Sequence, residues 1–191
     1  WRFETPAEAL RFLPLVVAVA VARGVTALGF TRHGIKWPND LVTSEGKLGG
    51  CLVELRSVAG GASLAVLGVG LNVRLAGAPG LESVDQPWAD LAGELPDVSR
   101  NETAGRLLHA LLEAVSRFEQ HGCGVEGFQS FAPDWARYDR LVGQEVTLRD
   151  ADRTLDGRCL GLGEDGGLRV ETGGRIVEVH AGEVSVRRRS S

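Results

Sequence analysis

Residues 12–22 are eleven consecutive apolar side chains, with Pro14 near the start of the run. Wound as a helix, such a segment has no polar face, so it is stable only when enclosed on all sides. Upstream, Thr5-Pro6-Ala7-Glu8 has the form of a capping box with proline at the first helical position. A helix is therefore expected to start near residue 6, to break or kink at Pro14 and to stop at Gly24. A sheet is the expected partner. The run falls short of the ~20 apolar residues that span a bilayer, and no small-residue cleavage site follows it, which argues against both a transmembrane helix and a signal peptide.

Short β-type segments come next, at 34–37, 41–43, 48–55 and 64–73, with Ser44-Glu45-Gly46 as a hairpin turn. One helix followed by a strand meander predicts an α+β architecture. Residues 74–97 are rich in Gly, Pro and Ala and lack periodicity, and a connection of that length inside a compact domain is more often functional than idle. Ser99-Arg100-Asn101-Glu102 offers a second capping box, and Leu107, Leu108, Leu111, Leu112, Val115 and Phe118 then recur at helical spacing. A further helical stretch carries Phe128, Phe131, Trp135, Tyr138 and Leu141, interrupted at Pro133, and its aromatics are read as core. After Gly143 the texture changes to alternating segments at 145–149, 155–162, 167–171, 175–180 and 183–187, separated by glycine turns. Five strands so closely spaced predict a small SH3-like β-barrel. The expected division is residues 1–140 and residues 141–191.

The 21 basic and 25 acidic residues leave a net charge of −4, and the one basic run is Arg187-Arg188-Arg189. Phosphate-backbone binding needs clustered cations, so this chain is not expected to bind nucleic acid. Three widely spaced cysteines, Cys51, Cys123 and Cys159, form no CxxC pair and read as free thiols of a reducing cytosol. The four histidines, His33, His109, His121 and His180, have no metal-type spacing. There is no methionine, and the first three residues read as the middle of a strand, so the chain is taken as a fragment.

Of the 21 basic residues only Lys36 and Lys47 are lysine, and they lie within twelve positions of each other. In Lys36-Trp37-Pro38-Asn39-Asp40, a lysine at a strand end beside a rigid proline can aim a point charge at an anion, although Pro-Asn-Asp is also ordinary turn chemistry. In Lys47-Leu48-Gly49-Gly50, paired glycines within a strand mark either a bulge or a close approach by a ligand or another backbone. Gly68-Val69-Gly70-Leu71-Asn72-Val73 contains GxG, but Val73 occupies the third glycine's place, and the dinucleotide fingerprint fails.

Taken together, these three blocks closely resemble biotin protein ligases, in the family's order and with its short gaps. The likeness extends to a strand at Trp1-Arg2-Phe3 and to an SH3-like C-terminal domain. It implies a two-step enzyme that joins biotin to ATP as biotinyl-5′-AMP and passes the biotinyl group to a lysine of a biotin carboxyl carrier domain. By the same resemblance Lys36 is the catalytic cation, contacting the biotin carboxylate and the phosphoryl oxygens, with Mg2+ on the ATP phosphates. Asn39 and Asp40 would lie on the nucleotide and metal side, with Asp40 as the metal residue. Gly49 and Gly50 would lie against the valeryl tail, Gly68, Gly70 and Asn72 would border the adenylate, and Trp88 would cover the adenine. The family's GRGRxGR-type biotin loop is not in this chain, which alone is then expected not to complete the reaction. Lipoate ligases and octanoyl transferases share the core fold, and a non-catalytic module that docks a carrier domain or dimerises through an open strand edge is the remaining alternative. A cytoplasmic protein is implied throughout.

Overall fold

The computed structural model describes residues 1–149, 154–180 and 185–188. Two antiparallel five-stranded sheets are joined by a helical layer, so the α+β architecture and the C-terminal strand cluster stand as expected. The first sheet contains β1 (Arg2–Phe3), β2 (Gly34–Lys36), β3 (Asp40–Val42), β4 (Lys47–Ser57) and β5 (Ser63–Leu71), in the order β1-β5-β4-β3-β2. The second contains β6 (Glu145–Arg149), β7 (Thr154–Leu162), β8 (Leu168–Thr172), β9 (Arg175–Val179) and β10 (Ser185–Arg188), in the order β10-β6-β7-β8-β9. The start of the strand expected at 183–187 lies outside the described residues.

The apolar run forms α1 (Leu13–Ala27), preceded by a 3-10 turn at Ala7–Leu10. Two details differ from the sequence reading. The break expected at Pro14 is present, since the 3-10 turn ends at Leu10 and α1 begins at Leu13, but Pro14 sits in the first turn of α1, where its missing N–H has no helical partner to lose, so it opens the helix and does not kink it. Gly24 lies inside the helix because α2 (Arg100–Gln120) crosses there: a Cβ at Gly24 would lie 3.0 Å from Leu107 Cδ2. The stop comes instead at Gly29, whose φ of +94° suits a residue without a Cβ. Ala7–Ala27 together are long and apolar enough to cross a membrane, which the eleven-residue run had concealed, but 72% of the tested window is buried inside this molecule. It is the central core helix, covered by the sheet and by α2.

Ser99 caps α2 as expected, accepting from the Glu102 amide at 3.4 Å, whereas Thr5 makes no such bond. The aromatic stretch is two short helices, α3 (Gly124–Gln129) and α4 (Ala132–Tyr138), and Pro133 begins the second. Phe128, Phe131, Trp135 and Tyr138 are all buried in the core. The two sheets meet through specific contacts. The Trp37 indole N–H donates to the Gly166 carbonyl at 3.1 Å, and a Cβ at Gly166 would lie 3.1 Å from Phe12 and from Leu15 of α1.

Candidate functional site

The site begins as a tight hairpin. Lys36 ends β2, Asp40 begins β3, and the two are direct cross-strand partners around the Trp37-Pro38-Asn39 turn, in which the Trp37–Pro38 bond is cis. Register carries the row onward: Asp40 faces Gly50, Gly50 faces Gly70, and Leu52 faces Gly68. Directly opposed residues point to the same side of a sheet. Lys36, Asp40, Gly50 and Gly70 therefore make one line across four strands, on the face opposite the buried Ile35, Leu41 and Leu48.

Two open cavities lie on this face. One, of about 710 Å³, is lined by Lys36, Arg32, Arg140 and the 42–47 turn. The other, of about 950 Å³, lies over Gly50, Gly68, Gly70 and Asn72 and is closed by the 75–88 connection, including Trp88. Asp40 and Lys47 line both. The only two lysines of the chain thus converge on one carboxylate: Lys47 Nζ is 2.6 Å from Asp40 Oδ1, and Lys36 Nζ is 4.0 Å from Asp40 Oδ2. Both ammoniums keep solvent access, at 29% for the Lys36 side chain and 42% for that of Lys47. Sequence reasoning singled out Lys36 and passed over Lys47 as a site residue, although its rarity was the available signal.

The predicted glycines divide by strand parity. Added Cβ atoms at Gly68 and Gly70 would find no protein atom closer than 3.6 Å and 4.0 Å, so the fold itself does not require glycine there. At Gly50 a Cβ would come within 3.0 Å of the Asp40 carboxylate. Gly49 points the other way, where its Cβ would lie 2.4 Å from the Gly70 carbonyl oxygen. Its lack of a side chain serves strand packing, while its backbone lines the same cavity as Gly50.

The polar residues are largely committed to holding the frame. The Asn39 side-chain amide donates to the Cys51 carbonyl, and the Cys51 amide returns a bond to the Asn39 carbonyl at 3.0 Å, which fastens the hairpin to β4. Asn72 Nδ2 donates to the carbonyls of Lys47 and Ala89, at 3.1 and 3.0 Å, so it staples the end of β4 to the long connection. Trp88 pairs alongside Lys47 as an isolated parallel bridge. Gly46 permits this, since a Cβ there would collide with the Pro87 backbone at 2.3 Å.

A metal held by the protein does not fit. Among the described residues no group of three or more His, Cys, Asp or Glu could hold one, and Asp40 already lies between two ammoniums. Cys51, on the strand beneath, is a buried thiol that desolvation pushes up to about 12, which removes it as a nucleophile at neutral pH. Burial likewise lowers the pKa of His33, a core residue 2% exposed whose Nε2 lies 2.9 Å from the Ala22 carbonyl.

Residues 141–187 match the family described as biotin protein ligase C terminal domain. Over 188 residues the chain is 33% identical to the bifunctional ligase/repressor BirA of Escherichia coli K12, covering 98% of this chain and 56% of that protein. It is 31% identical over 188 residues to the biotin–[acetyl-CoA-carboxylase] ligase of Mycobacterium tuberculosis, covering 95% of this chain and 64% of that one. The chain spans little more than half the length of these relatives. A biotin protein ligase from Aquifex aeolicus, solved in complex with biotin and ATP, superposes with a TM-score of 0.77 at 27% identity, over 94% of this chain and 72% of that one.

Proposed function

From the premise that this chain belongs with the biotin protein ligases in sequence and fold, its residues 141–187 matching their C-terminal domain, we propose that it carries the adenylating site of a biotin–[acetyl-CoA-carboxylase] ligase. The observation that carries this reading is the row Lys36–Asp40–Gly50–Gly70, on which both lysines of the chain meet a single carboxylate beside an unfilled glycine floor.

In the first step a biotin carboxylate oxygen attacks the α-phosphorus of ATP, and the bond from that phosphorus to the bridging oxygen breaks, releasing pyrophosphate. Two anions must approach each other, so fixed positive charge has to lie between them. Lys36 and Lys47 supply it. Asp40 holds the two ammoniums in position and offsets their mutual repulsion until the anions arrive. Gly50, Gly68 and Gly70 leave room for substrate along the sheet, Asn39 and Asn72 keep the hairpin and the connection in register, and Trp88 walls the nucleotide side. Any Mg2+ arrives with the phosphates of ATP, because among the described residues no carboxylate cluster awaits it. In the second step the amine of a carrier-domain lysine attacks the acyl carbon, AMP leaves with the electron pair of the broken C–O bond, and the amine loses a proton.

Residues 1–140 are assigned to catalysis and 141–191 to the C-terminal barrel. Self-association along the outer edge of β5 belongs to the same proposal, since β1 and Trp1 cover that edge from Ser63 to Ala65 and β5 runs on to Leu71. The test is biotin-dependent exchange of pyrophosphate into ATP by the full-length protein that carries this chain. Exchange with lipoate in place of biotin, or exchange that survives both Lys36→Ala and Lys47→Ala, would overturn the reading.

A further inference from the structure

The cavity beside Lys36 holds a cation that the sharing of Asp40 by the two lysines does not use. Arg32, Lys36, Lys47 and Arg140 line it against Asp40 and Glu45, and with Glu94 paired to Arg32 the excess is one cation. Most of these charges are already engaged. Glu94 holds Arg32 at 2.6 Å, and Asp40 serves both lysines. Arg140 differs, because among the described residues it forms no ion pair and is held only by backbone.

That hold is well defined. The Arg140 amide donates to the Ile35 carbonyl at 3.0 Å, and its Nη2 donates to the His33 carbonyl at 2.7 Å. Asp139 fixes the turn beneath by accepting from the amides of Leu141 and Val142, at 2.7 and 3.2 Å. The side chain crosses β2 directly over Gly34, where a Cβ would lie 2.3 Å from Nε and 2.5 Å from Cγ. Gly34 and Lys36 are two apart on one strand and so share a face, which sets the guanidinium next to the catalytic ammonium. One of its five N–H donors is spent on His33, leaving a planar fork of the kind that matches phosphate oxygens. The glycine floor and Trp88 belong to the other cavity, so the bulky organic parts of the substrates and the polyanion have separate places.

We infer that Arg140 binds the pyrophosphate end of the nucleotide in the cavity beside Lys36, as a further substrate-binding residue; this rests on the adenylation reading above. A planar fork with donors to spare, set beside two ammoniums, suits a diphosphate better than a lone carboxylate. The test is calorimetric titration of the full chain with inorganic pyrophosphate and, separately, with AMP, using Arg140→Met and Arg140→Lys. Arg140→Met is expected to weaken pyrophosphate binding about tenfold or more while leaving AMP within about twofold, the loss of one charge-assisted contact. Arg140→Lys, which keeps the charge and loses the fork, is expected to fall between the two, and it decides the matter should the methionine variant not fold. Unchanged pyrophosphate affinity in both variants overturns the inference, as does an equal loss for AMP accompanied by a lower melting midpoint, which would mark a merely structural arginine. The two readings fail separately. Exchange activity of the full-length protein with pyrophosphate affinity indifferent to residue 140 sinks this inference alone, whereas absent exchange by the full-length protein with affinity dependent on residue 140 sinks the ligase assignment alone.

Discussion

Gly70→Ala and Gly49→Ala are the same chemical change at nearly adjacent points of one sheet, yet the structure requires opposite outcomes. At Gly70 the new methyl would meet nothing nearer than the Gly50 carbonyl oxygen at 4.0 Å, and the backbone φ is not in the left-handed region. Replacing a strand glycine by alanine without a clash recovers about 0.5–1 kcal/mol of unfolded-state entropy. For a chain of this size that is a rise of roughly 1–4 °C in Tm. The methyl would nevertheless stand on the proposed floor, where overpacking costs about 1–3 kcal/mol, or roughly fivefold to a hundredfold in substrate affinity. At Gly49 the added carbon would lie 2.4 Å from the Gly70 carbonyl oxygen and 3.0 Å from Leu71 Cδ1, so β4 and β5 must separate and Tm falls. Thermal melts read by circular dichroism, together with ATP titrations, separate the two effects. A Gly70→Ala protein that melts lower than wild type, or one that melts higher and binds ATP undiminished, would refute the assignment of this row to ligand.

Three other outcomes follow from the same geometry. Removing either ammonium, by Lys36→Ala or Lys47→Ala, is expected to slow biotin-dependent pyrophosphate exchange by about a hundredfold or more, equivalent to the ~2.7–4 kcal/mol typical of a lost preorganised donor; melting midpoints should hardly move, since partly exposed ion pairs contribute about 1 kcal/mol or less. Burial holds the Cys51 and Cys159 thiols up at about 12 and about 11, so the unfolded chain releases these protons first as pH rises through 9. Stability is therefore complete below pH 9 and falls above it, by at most about 1.4 kcal/mol per pH unit for each thiol, and urea midpoints at pH 8 and pH 10 measure it. The part-covered edge of β5 is expected to give dimers or larger species in light scattering at high protein concentration, and a monodisperse monomer would count against its availability.

The fold was legible where pattern alone decides. The all-apolar run had to be the core helix, and the glycine-punctuated alternation after residue 143 had to be a separate strand cluster. What escaped was whatever depends on partners distant in sequence. Gly24 looked like a helix stop because nothing local reveals that α2 crosses there. Gly49 and Gly50 looked equivalent until β3 and β5 supplied a register that sends one to each face. Asn39 was expected on the nucleotide side without a defined partner, and the bond from its amide to the Cys51 carbonyl, twelve residues on, is not legible in the sequence. Lys47 was quoted in a motif but given no role, because its significance lies in sharing Asp40 with Lys36 across a strand pair.

The bond from the Trp37 indole to the Gly166 carbonyl joins positions 129 residues apart and ties the turn carrying Lys36 to the far sheet. The aim of the ammonium is thus calibrated from outside its own hairpin, by a turn in the second sheet. On the proposed function, a lesion in that turn is expected to register as misdirected chemistry before it registers as unfolding, which makes the C-terminal strands part of the tolerance of the reaction as well as of the architecture around it.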